Sequence, residues 1–109
     1  MNRKEILLAA EECVCGKRNY DYGTPENNFE TIGYLWSVYL RAAHPDLKRV
    51  LALNGINEKD VAIMMALLKI SRIATGSNID SFIDLAGYSA CAGEIASFES
   101  KERLISKGI

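Results

Sequence analysis

Two pairs of charged residues carry most of the chemistry that this sequence suggests. Lys69 and Arg72 are three residues apart, and Asp80 and Asp84 are four apart. Either spacing places both members of a pair on one side of a helix. A guanidinium presents a planar fork that matches phosphate, while an ammonium acts as a point charge. Paired carboxylates suit a metal ion, a sugar hydroxyl or the edge of a base. A second carboxylate pair, Glu26 and Glu30, has the same four-residue spacing. If its helix faces the first two pairs, four carboxylates converge, enough oxygen for Mg2+ with water completing the shell. The alternative for Glu26 and Glu30 is an ordinary solvated helix face. A third group lies in and just before the segment "NYDYGTPENNFE", where Lys17, Arg18, Tyr20 and Tyr22 offer phosphate contacts and aromatic faces for a base. The alternative for each tyrosine is packing over a helix junction.

These side chains meet only if the elements bring them together. The segment from Asn57 to about Ala74 reads as a helix, with Asn57 as N-cap and Glu58 and Asp60 at the positive end of its dipole. Its middle, "VAIMMALLKI", is apolar almost all round, which predicts the most buried helix of the protein. Thr75-Gly76-Ser77-Asn78 breaks it, and the next helix runs from about Asp80 to Phe98. So short a connection predicts an antiparallel hairpin, with Arg72 level with Asp80 and Lys69 level with Asp84 near the bend. Asp60 falls on the opposite side of its helix from Lys69 and stays outside this cluster. The plain alternative is two cross-hairpin salt bridges, Lys69–Asp84 and Arg72–Asp80, with Asp80 also capping its helix; exposed pairs contribute only ~0–1 kcal/mol each.

Two further helices precede the hairpin. The first spans about Arg3 to Cys15, with Ile6, Leu7, Ala10, Cys13 and Val14 as its apolar stripe and Gly16 as its stop. The second begins with Thr24 as N-cap and Pro25 in the first turn, and places Phe29, Ile32, Gly33, Trp36, Leu40 and Ala43 on one face. Glu26, Glu30, Ser37 and Arg41 share another. A short helix over about Asp46 to Leu53 ends at Asn54-Gly55. Ala86, Ala90 and Gly93 repeat at helical spacing and predict a close approach by a neighbouring helix. The expectation is an all-α, compact four- to five-helix bundle forming one domain, with a core over about residues 3–98 and a tail over 99–109.

Composition narrows the classes. The 109 residues fit one domain, and 49% hydrophobic with 25% charged content supplies one core. A net charge of −1 gives no footprint for duplex nucleic acid or an anionic membrane. The longest apolar run, Val61 to Leu68, is far shorter than the ~20 residues needed to span a bilayer. Cys13, Cys15 and Cys91 cannot all pair in one chain and lack the spacing of a structural zinc site, so reduced thiols and a cytoplasmic location are expected. The only histidine, His44, stands beside Pro45 and offers no partner for a nucleophile.

The linked pieces "YGTPENNFETIGYLWSVYL", "DVAIMMALLKISRIATG" and "DSFIDLAGYSACAGEIA" resemble a family of small phage and prophage proteins of unassigned biochemical role, over about residues 12–98. The resemblance marks Arg18, Tyr22, Asn28, Lys69, Arg72, Asp80, Asp84 and Tyr88 as ligand-binding candidates. It also marks Gly23, Pro25, Phe29, Trp36, Asp60 and Gly87. A phage origin would place the protein in the host cytoplasm. More distantly, the set is similar to MazG-like all-α nucleoside-triphosphate pyrophosphohydrolases, helical oligomers that hold Mg2+ on carboxylates from two helices. Those enzymes carry Glu-x-x-Glu and a later Glu-x-x-Asp, whereas here the pairs at 26/30 and 80/84 are four apart. The resemblance therefore implies a nucleotide-binding helical scaffold, a homo-oligomer, more strongly than hydrolysis. Three readings follow. One is binding of a nucleotide-type phosphate ligand, including a cyclic signalling nucleotide, with Arg18, Lys69 and Arg72 on phosphates and Tyr22 or Tyr88 on a base. Another is Mg2+-dependent hydrolysis on Glu26, Glu30, Asp80 and Asp84. The last is a structural oligomer without ligand.

Overall fold

The computed structural model describes residues 1–16, 25–49, 51, 55–76 and 78–106, the side chains of 25–27 and 101–106 excepted. Among the described residues the chain forms four α-helices and no strand: α1 (Arg3–Cys15), α2 (Pro25–Ala43), α3 (Glu58–Thr75) and α4 (Ile79–Ser106). A 3-10 turn, Pro45–Leu47, follows α2, and Lys48, Arg49 and Leu51 are helical. The all-α expectation holds. No helix among the described residues is long and apolar enough to cross a membrane.

Local sequence explains the helix boundaries. Asn2 caps α1: its Oδ1 accepts from the Glu5 N–H at 2.8 Å while the Glu5 carboxylate accepts from the Asn2 N–H. The Asn57 and Asp60 side chains form the same reciprocal box at the start of α3, which accounts for Asp60. α4 is entered through Asn78, whose Oδ1 accepts from the Asp80 N–H at 2.8 Å and whose carbonyl accepts from the Ser81 N–H. Asp80 is thus a first-turn residue rather than the cap, correcting the sequence expectation. α4 starts one residue earlier than expected and continues through the tail to Ser106.

α3 and α4 form an antiparallel hairpin. Salt bridges tie it near the bend, Lys69 Nζ to Asp84 Oδ2 at 3.0 Å, and at the far end, Lys59 Nζ to Glu99 Oε2 at 2.9 Å. α1 packs on α4, and α2 packs on α3. The core is small: Phe29, Val61, Ala62 and Cys91 are buried, with Val14, Trp36, Met65 and Tyr88 among the half-buried residues against them.

Two glycines permit this packing. A Cβ at Gly33 would collide with the backbone carbonyl of Ile56, and one at Gly87 would lie 3.1 Å from Val14 Cγ1. The close approach to α4 is therefore at Gly87, facing α1. The expected small-residue stripe does not make it: Gly93 is open, and Ala90 is exposed.

Three more expectations change. Ser37, expected on the solvated side of α2, is buried. Its hydroxyl donates to the Gly33 carbonyl at 2.7 Å and accepts from the Ile56 N–H at 2.8 Å, pinning the entry of α3 to α2. Leu7 and Cys13 are exposed on α1, so its buried side narrows to Ala10 with Ile6 and Val14 half-buried. α3 is not buried all round: Val61 and Ala62 are fully enclosed, yet Ile63, Met64, Leu67, Leu68 and Ile70 are exposed. The two neighbouring helices cover only part of its circumference.

Candidate functional site

The bend of the α3–α4 hairpin collects the first two charged pairs only in part. Lys69 lies on the side of α3 that faces α4, its side chain only 12% exposed, and its ammonium meets the Asp84 carboxylate, which is 35% exposed. Arg72 turns away. It is exposed, and among the described residues no ion pair joins it to Asp80 or any other carboxylate. Helix phase gives the reason: a residue three on from Lys69 is rotated one way and a residue four on the other. The half-buried position is Ile73, while Arg72 points outward. Asp80 is exposed in the first turn of α4. Lys69–Asp84 thus forms as expected, and the expected Arg72–Asp80 pair does not.

The remaining candidates divide between packing and solvent. Tyr88 is half-buried and tilts against Phe29, ring centroids 6.0 Å apart at 48°, so this ring joins α4 to α2 through the core. Asn28 and Glu30 are exposed on α2. Arg18 and Tyr22, with Lys17, Tyr20 and Thr24, lie outside the described residues, and so does the side chain of Glu26. Among the described residues no three His, Cys, Asp or Glu side chains come together to hold a metal ion. Glu30, Asp80 and Asp84 therefore do not converge by themselves.

Among the described residues, this arrangement leaves the Arg72 guanidinium without an ion pair about one helical turn from the Lys69–Asp84 pair, with the exposed Asp80 carboxylate at the start of the returning helix. Sequence reading missed the contacts that set the opposite, N-terminal end of α3 in place. Ser37 pins the entry of α3, and the Arg41 guanidinium donates to the Leu51 carbonyl at 3.2 Å. Ser37 follows Phe29 and Gly33 at successive four-residue steps, a signal that was available.

A family model described as a domain of unknown function, DUF6378, matches residues 5–96. The chain belongs to this family. Among its relatives are two phage proteins, each called Gene 55 protein. The one from Mycobacterium phage D29 is 39% identical over 93 residues, which cover 84% of this chain and 54% of the relative. The one from Mycobacterium phage L5 is 39% identical over 84 residues, covering 76% and 47%. The chain spans about half the length of these relatives. No solved structure matches it. The DUF6378 match encloses α1 through most of α4, so the hairpin bend and both charged pairs fall inside the family's domain. The resemblance to small phage proteins of unassigned role holds in these relatives, whose names describe no activity.

Proposed function

We propose that this DUF6378 domain binds a nucleotide or nucleotide-derived phosphate ligand at the bend of the α3–α4 hairpin. The observation that supports the reading is Arg72: exposed, charged and without a carboxylate partner among the described residues, at the end of the hairpin where Lys69 is already committed. A guanidinium in this state donates two parallel hydrogen bonds to phosphate oxygens without first breaking an ion pair. Lys69 keeps further N–H donors beyond the one directed at Asp84, so it offers hydrogen bonds while Asp84 holds it in place. Asp80 accepts from a sugar hydroxyl or a base edge. Arg18 and Tyr22 complete the ligand set as a phosphate donor and a stacking face, and Asn28 supplies a further polar contact. Tyr88 contributes only the part of its ring not packed on Phe29. In a phage-type protein such binding withdraws a signalling nucleotide from the host, in the host cytoplasm.

Two further readings define the outcomes of the test. A MazG-like pyrophosphohydrolase would carry Mg2+ on Glu26, Glu30, Asp80 and Asp84. The Lys69–Asp84 ion pair favours instead a structural helical element without ligand, since it neutralises one of the two cations. The test is a thermal-shift panel of linear and cyclic nucleotides, with and without Mg2+, because a ligand selective for the folded state raises its apparent stability. The binding reading expects stabilisation by at least one nucleotide, lost in Arg72→Ala. Pyrophosphate release from a triphosphate would replace it with the hydrolytic reading, and neither shift nor turnover would leave the structural one.

A further inference from the structure

We infer that the outer face of α3 is the contact surface for a second copy of this chain, two α3 helices packing antiparallel across a two-fold axis. The inference does not rest on the ligand reading. α3 is arranged inside out for an isolated chain. Lys69 is turned inward at 12% side-chain exposure, while Ile63, Met64, Leu67, Leu68 and Ile70 stand 42–57% exposed. Between Asp60 and Arg72 this outer face carries no charge. On the neighbouring α2, Leu35, Val38 and Tyr39 are also exposed, at 44–66%.

The areas match what a second copy would cover. At about half exposure, the five apolar residues of this α3 face leave on the order of 400 Å² accessible. An interface is only about three-fifths apolar, so a strip of this size suits a contact of roughly 700 Å² per partner, close to the ~800 Å² of a standard interface.

A second copy suits this face better than a charged partner, because an uninterrupted apolar strip complements itself and offers a charged surface nothing. The antiparallel direction is set by the helix dipoles, which oppose in that arrangement. Leu67 then lies near the axis, opposite its own copy.

Sedimentation equilibrium of the full chain, with Leu67→Glu and Leu67→Lys alone and mixed one to one, tests the arrangement. The wild type should be dimeric or a higher even-numbered oligomer at micromolar concentration. Each variant should dissociate with its helical far-UV spectrum intact, since Leu67 is 57% exposed within one chain. The mixture should regain the two-fold contact, because glutamate then meets lysine. Should either charge unfold the chain, Leu67→Ala serves in its place, with the dissociation constant raised at least tenfold. A monomeric wild type, variants that keep the wild-type mass, or a mixture that stays dissociated would each overturn the proposal.

Discussion

The two members of the Lys69–Asp84 ion pair do not share its burden equally. The lysine is the more deeply placed, 12% exposed against 35% for the aspartate. Removing Asp84 strands a largely hidden ammonium, whereas replacing Lys69 by methionine keeps the apolar stem and leaves a carboxylate that water can reach. Exposed pairs contribute ~0.2–1 kcal/mol and breaking buried ones costs ~3–5, so Asp84→Asn should cost about 1–3 kcal/mol and Lys69→Met less. Chemical denaturation of the two variants checks the order, and equal losses would contradict it. Ser37 offers a second residue-level test. Ser37→Ala leaves the partly buried Ile56 N–H without its acceptor, and since a fully buried orphan costs ~1–3 kcal/mol the loss should lie near the lower end of that range. Serine to cysteine or threonine would confuse volume with hydrogen bonding, so alanine is the informative change. The ion pair could be foreseen from sequence because a short bend fixes the register of the two helices. Ser37 was misplaced because its polarity outweighed its position, four residues after Gly33 on the packed side. Arg72–Asp80 failed because counting outward from a bend gives the level of a residue along the helix and omits its phase around it.

At the scale of elements, glycine positions separate contact from solvent. Mid-helix glycine ordinarily weakens a helix by ~0.5–1 kcal/mol relative to alanine. Gly93 is exposed with nothing near a would-be Cβ, so Gly93→Ala should raise stability by about that amount. Gly33→Ala should do the opposite. Its Cβ meets the Ile56 carbonyl, a backbone group that cannot rotate aside, and overpacking costs of ~1–3 kcal/mol outweigh the helical gain. Thermal melts of the pair should move in opposite directions, and a gain for both would contradict the α2–α3 contact. The helices themselves were readable from caps and breakers: Asn57, Pro25 and the Gly76 break all act where their chemistry places them. The extent of burial was not. An apolar run such as "VAIMMALLKI" reports that a helix prefers to be covered, and it does not report whether the cover comes from the same chain. Gly93 and Gly87 likewise differ only in which side of α4 they occupy, and neighbours decide that.

Among the described residues few side chains are fully buried, and the bend and the outer face of α3 are open to solvent. The net charge of −1 argues against polyanion binding by general attraction, so the proposed recognition of a phosphate would be local. On that reading Arg72 makes it local. Among the described residues the Arg72 guanidinium is exposed and makes no ion pair, so the consequence of its loss should appear in binding and not in stability. Calorimetric titration of the full chain with linear and cyclic nucleotides, wild type beside Arg72→Ala, measures this directly. The account predicts saturable binding of at least one nucleotide, with a dissociation constant raised at least tenfold in Arg72→Ala and an unchanged melting temperature. Absence of saturable binding, or equal affinity in the two proteins, would contradict it.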